Sequence, residues 1–346
     1  MRRFSLASLL SWTIVASACS GHSKSPAPVP ILKVEEANLP YQVLRAEGGR
    51  ELTKAEFFGE LNAAQAICVG ESHTDSHHHW AQLQVLENLV PSGQFATGME
   101  MFQRPFQGVL DDFSEGRISE EHLLTRSDWK RRWKYDWGYY APMIRYTVSK
   151  GGALLALNVS KELKDKWKKG GVEGLSEEEK LKIPEMNLDD DKHRKWFRTL
   201  MESMSEGHEK DAGAHAFVGD PEPAVHSAPA SATHDPVAAT APAATAPAAT
   251  APAAEADFID QIYPVQVLWD ETMADSASRW LQAEAGRQLV ILAGNGHCHN
   301  SAIVARMKRR GVERVVSVRP VVETGDGETA ELLAQPENDY LFVMSK

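Results

Sequence analysis

Residues 65–79 read Gln-Ala-Ile-Cys-Val-Gly-Glu-Ser-His-Thr-Asp-Ser-His-His-His, an apolar run that stops at Gly70 and is followed at once by carboxylate and imidazole groups. Ala66 to Val69 is short, apolar and partly β-branched, which suits a parallel strand covered on both faces. Gly70 allows a tight turn. Asp75 or Ser76 can cap a following helix, whose apolar face is Trp80, Leu83, Leu86, Leu89 and Val90. Strand, turn and helix thus put Glu71 and His73 at the carboxyl end of a strand, where open α/β sheets keep their ligands.

Working outward, a second stretch repeats the pattern. Leu289-Val-Ile-Leu-Ala-Gly294 is another apolar run ending in glycine, and His297, Cys298 and His299 follow before a helix expected from about Ser301 to Arg309. Both strand ends read Gly-x-x-His, Gly70 to His73 and Gly294 to His297. Between them Phe95-Ala-Thr-Gly-Met-Glu100 delivers a third group, Glu100, in the corresponding place. Two histidines and two glutamates from three strand ends can therefore converge.

Further buried-strand patterns occur at Ala153–Val159, Arg314–Val318 and Tyr340–Met344. Six such strands with helices between them predict an α/β fold, a mainly parallel central sheet flanked by helices. A helical subdomain is expected over the carboxyl edge of the strands, from the Met101–Ala285 interval. Residues 205–256 break the pattern with Pro/Ala/Thr-rich sequence, including Thr-Ala-Pro-Ala-Ala three times in tandem from Thr240 to Ala254. Such a composition buries too little apolar surface to order itself. The expected organisation is a lipoprotein signal peptide at 1–18, a tether at 19–39, one domain formed by 40–204 and 257–346, and a disordered insert at 205–256.

The chain has 346 residues, 42% hydrophobic and 25% charged, with a net charge of -11. An acidic excess argues against nucleic acid as a partner. At the amino terminus Arg2 and Arg3 precede an apolar run, and Ala16-Ser17-Ala18-Cys19 resembles a lipoprotein cleavage box with Cys19 lipidated. Ordinary cleavage after Ala-x-Ala is the alternative. Ser20 beside the cysteine points to the outer membrane, with a lipid anchor as the attachment. Cys68 and Cys298 form no disulfide framework, and two buried apolar thiols are expected in preference to a pair.

Trp129, Trp133 and Trp137 fall at i, i+4 and i+8, with Tyr140 and Ile144 continuing one helical face. Such a stripe packs against another helix or forms an apolar wall for a large flat ligand, with Tyr139, Tyr140 or Tyr146 offering a phenolic oxygen. Glu71, His73, Glu100 and His297 together suit a divalent zinc, manganese or iron ion that activates water. There is no His-Glu-x-x-His helix, no Gly-x-Ser-x-Gly elbow and no Gly-x-Gly-x-x-Gly after the first strand.

The segments Gly70–His79, Gly98–Phe102, Gln266-Val-Leu-Trp-Asp-Glu-Thr-Met-Ala274 and Ala293-Gly-Asn-Gly-His297, in this order, resemble the ChaN family of bacterial haem-binding lipoproteins. That family lies within a superfamily that includes Tiki proteases and erythromycin esterases. The resemblance implies haem binding linked to iron acquisition, a homodimer, and a haem receptor or transporter as a further partner. It also implies tyrosine and histidine as iron ligands, for which Tyr140 and His193 are the candidates, with Trp133 and Trp137 as the wall. The superfamily's hydrolytic members imply an alternative, a metal-dependent ester or amide hydrolase with Glu71 or Glu100 as general base and His73 and His297 as ligands. The insert at 205–256 departs from the family pattern.

Overall fold

A computed structural model describes residues 40–91, 93–205 and 251–345. The signal peptide, the tether and all of the insert between 206 and 250 lie outside the described residues. Eight strands form one sheet: β1 (Tyr41–Arg45), β2 (Glu51–Leu52), β3 (Ala66–Val69), β4 (Phe95–Gln103), β5 (Ala153–Asn158), β6 (Gln288–Leu292), β7 (Val315–Glu323) and β8 (Tyr340–Ser345). Their order is β2-β1-β8-β7-β3-β6-β4-β5. The six strands anticipated from the apolar runs are the parallel ones. β1 and β2 add an antiparallel edge through β8; their short alternating segments lack the continuous apolar run of a doubly covered strand.

The sheet explains why the two Gly-x-x-His motifs meet. β3 and β6 are direct neighbours, with Val69 opposite Leu292, and β4 lies beside β6 with Met99 opposite that same leucine. The residues that follow therefore leave the sheet abreast, Glu71 and His73 from β3, Gly294 and His297 after β6, Glu100 on β4. Helices cover both faces. Leu61, Val85, Met143 and Ile144 pack with Ile67, Val69 and Met99 on one face, while Met273, Ala277, Ile303 and Met307 pack with Ala66, Leu289 and Ile291 on the other.

Local signals hold in part. Asp75 caps the helix Ser76–Asn88, its carboxylate accepting from the His77 amide, as a first-turn acceptor should. That helix ends before Val90, which is 76% exposed and does not belong to its buried face. The Trp129–Trp137 stripe is not one helix. It is split into Trp129–Arg132 and Trp137–Ser149, because Lys134 between them adopts left-handed backbone with φ of 72°, a conformation no helix interior admits. The rings still cluster, Trp129 lying 4.9 Å from Trp137 and 5.3 Å from Tyr140 between centroids. Pro142 sits inside the second helix without ending it. After the insert, the helix Ala251–Gln282 begins before Asp257, with Pro252 in its first turn, where a missing amide hydrogen costs nothing.

Candidate functional site

Gly70 is required for a reason other than the one its position in the sequence suggests. A Cβ there would overlap the Asn295 side-chain oxygen, so glycine permits the two strand-end loops to close on each other. The Asn295 amide donates to the Glu71 carbonyl at 2.8 Å. Gly294 has a parallel role, since a Cβ would lie 3.2 Å from His73 Cε1 and 3.6 Å from Glu100 Oε2. Both glycines thus shape one buried space.

On the β3 side, Glu71 is fully buried and accepts from three groups. His73 Nδ1 lies 2.7 Å from Oε1, the Tyr140 hydroxyl donates to Oε1 at 2.9 Å, and Gln82 Nε2 donates to Oε2 at 2.8 Å. His79 Nδ1 is 3.5 Å from Oε2. Burial opposes the Glu71 charge, but the hydrogen bond from His73 and the charge of His79 outweigh it and lower its pKa. Burial likewise opposes the charge on His73; the bond to Glu71 and the nearby Glu100 prevail and raise it. Tyr140 is driven well above the usual phenol value, first by burial and then by the Glu71 charge, so its hydroxyl keeps the proton it donates.

On the β6 side, His297 Nδ1 sits 2.7 Å from Asp270 Oδ1, while its Nε2 is 3.4 Å from Glu100 Oε1. Glu100 Oε2 accepts from the Gly294 amide at 2.7 Å. Asp270 also faces His193 Nε2 at 3.2 Å and Arg306 at 3.8 Å. Burial works against the Asp270 charge, and the Arg306 cation with the two histidines reverses that, holding the carboxyl far below its usual range. His297 is raised by Glu100 and Asp270 against burial. Glu100, His297, Asp270 and His193 form a run of buried ionisable groups, costly unless paired.

The structure brings Glu71, His73, Glu100 and His297 together as the spacing implied. Among the described residues no group of three or more His, Cys, Asp or Glu side chains is arranged to hold a metal ion. Tyr140 and His193 belong to separate hydrogen-bond networks. Tyr140 is 1% exposed with its hydroxyl on Glu71, and His193 is wholly buried between Asp270 and the Tyr263 hydroxyl. Two half-buried aromatic residues pack on His73, Trp133 and Tyr135, whose ring centroids lie 4.9 and 4.8 Å from that of His73. Trp137 is half-buried behind them with its indole donating to Glu120.

Sequence reasoning missed Asp270, Gln82 and Tyr135, and leaves open whether His77, His78 and His79 serve the site. Gln266 and Asp270 lie four apart on the helix Ala251–Gln282, and that spacing on one helical face is the signal that could have found them. Cys68 and Cys298 are joined as a disulfide with Cα atoms 5.2 Å apart, which corrects the expectation of two free thiols. The loop after β6 doubles back onto β3, a path that spacing in sequence does not reveal. Closing a separation of 230 residues stabilises the fold by about 5 kcal/mol on a chain-entropy account.

Comparison with solved structures finds the one describing cofacial haem binding to ChaN of Campylobacter jejuni, 14% identical, covering 88% of this chain and 97% of that chain with a TM-score of 0.60. It shows a shared fold. An erythromycin esterase mutant in its open conformation is 11% identical over 88% of this chain and 82% of that one, with a TM-score of 0.41. No curated protein matches the sequence. The family described as haem-binding uptake, Tiki superfamily, ChaN matches residues 57–307, and the chain belongs to that family.

Proposed function

We propose that this chain captures haem on the aromatic face at the carboxyl edge of the sheet and serves haem or iron uptake in the cell envelope. Family membership supports the ligand. The observation that carries the site is the pair Trp133 and Tyr135, half-buried and closed against the His73 ring. Flat, partly exposed aromatic surface suits a macrocycle. Haem, when bound, supplies an iron centre that takes tyrosine oxygen or histidine nitrogen.

In this reading Trp133 and Trp137 form the wall, and Tyr135 takes the oxygen-donor role in place of Tyr140. Tyr140 hydrogen-bonds Glu71 in the interior, and freeing it would leave that carboxylate short of a donor. Tyr135 has a phenol raised by burial and by the charges of Glu100 and Glu71, so it would meet haem as a neutral phenol. His193 stays with Asp270. The interior carboxylates and histidines set the shape of the edge on which haem rests. A lipid on Cys19 and pairing of two copies around the haem complete the proposal.

Haemin titration of the purified chain, followed at the Soret band, tests this. Saturable binding that Tyr135→Phe weakens about tenfold, equal to about 1.4 kcal/mol, is the expected result. Absence of saturation, or an unchanged spectrum and affinity in Tyr135→Phe together with loss in Tyr140→Phe, overturns the assignment.

A further inference from the structure

We propose that the Cys68–Cys298 disulfide is a redox latch on the loop that carries His297, so that reduction releases this half of the site while the sheet stays folded. The two cysteines stand in unlike surroundings. Cys68 is in β3, hydrogen-bonded between β6 and β7 at the centre of the sheet. Cys298 lies in residues 293–302, which have neither helix nor strand between β6 and the helix Ile303–Arg309. Within that loop the His297 and Cys298 amides donate to the Gly294 carbonyl, and at its end the Ile303 amide donates to the His297 carbonyl.

Its near end is tied outward through the Gly294 amide to Glu100 and the Asn295 amide to Glu71. Its far end has the disulfide, the Asn338 side chain on the Cys298 carbonyl and the Asn300 amide on the Glu337 carbonyl. A covalent crosslink therefore joins a central strand of the sheet to an irregular segment, one residue beyond His297.

Reduction changes the packing directly. A dithiol reductant gives up two electrons and two protons and becomes a disulfide; the Cys68–Cys298 bond breaks and each sulfur takes one proton. A sulfur–sulfur bond of about 2 Å becomes a non-bonded contact of about 3.5 Å or more, in a place where both residues are at most 1% exposed. A close-packed interior does not absorb that without movement. β3 is fixed on both sides, so the loop moves, carrying His297 away from Asp270 and Glu100. The thiols themselves are tolerated, since Ile291, Ile303 and Val304 make an apolar setting suited to reduced cysteine. Because the bond is buried, the reductant reaches it through local opening of the same loop.

The test is amide hydrogen exchange by mass spectrometry on the full chain, oxidised and after dithiothreitol, with thiol alkylation counting the cysteines released. The expected result is exchange at least about tenfold faster over residues 294–302, matching a local opening easier by about 1.4 kcal/mol, with residues 340–345 unchanged. The Cys68→Ala/Cys298→Ala variant should reproduce it, and reoxidation should reverse it. Unchanged exchange over 294–302 in protein alkylated at both cysteines overturns the latch. So does a uniform rise that includes 340–345, or a bond reduced only on global unfolding. If the double variant does not fold, the dithiothreitol time course on the natural chain decides.

Discussion

The two Gly-x-x-His halves of the site look alike in sequence and are built differently. The β3 half is mostly local: Glu71, two residues before His73, holds that histidine, Gln82 and His79 come from the next helix, and the Tyr140 hydroxyl is the one remote donor described. The β6 half borrows. His297 is held by Asp270 from the helix before its strand, and Asp270 in turn faces His193 and Arg306. The first half opens under aromatic rings, the second is closed by a disulfide and a buried arginine. Both histidines are buried, His73 at 1% and His297 at 3% exposed, but half-buried Trp133 and Tyr135 pack on His73 whereas Asp270 holds His297 from the interior. The β3 half therefore suits a ligand and the β6 half suits support.

The comparison breaks first on the two carboxylates. Asp270→Asn should cost about 3–5 kcal/mol, because it removes the buried carboxylate that His297, His193 and Arg306 share. Glu71→Gln should cost less, about 2 kcal/mol, since the glutamine oxygen can still accept from His73 and the Tyr140 hydroxyl. Urea midpoints of the two variants measure this, and equal losses would mean the halves are equivalent. Tyr140→Phe removes one donor to a charged acceptor and should cost about 1.5–3 kcal/mol, read in the same way, with the fold intact by circular dichroism.

Stability should also follow pH from both sides. His73 and His297 have raised values, so the stability they add is complete below their ordinary 6.5 and is lost as pH climbs through the raised values. Glu71 and Asp270 are lowered from 4.5 and 3.8, so their share is complete above those values and is lost as pH falls through the lowered ones. The urea midpoint should peak between roughly pH 4.5 and 6.5, and a profile still rising past neutrality would sink this account. The smallest effect is at the cap: Asp75→Ala should cost about 1 kcal/mol in thermal unfolding and leave the β6 half untouched.

These differences also mark what the sequence could tell. The six parallel strands were legible because each is a continuous apolar run, and the glutamate–histidine quartet because each member follows such a run within a few residues. Tyr135 was hidden by the apparent helical stripe, which Lys134 breaks with a backbone conformation that residue identity does not announce. Asp270 needed the knowledge that its helix passes over the end of β6. The disulfide needed the path of a loop that folds back across its neighbouring strand, a tertiary fact with no period in the sequence.

The most direct measurement of the central claim is haemin affinity, by Soret titration, of Trp133→Ala beside Trp269→Ala. Trp133 lies over His73, and Trp269 stands 6.0 Å from the His297 ring on the other half. The account predicts a loss of about tenfold or more in the first, about 1.4 kcal/mol, and little change in the second. The reverse order, or equal losses, would contradict it.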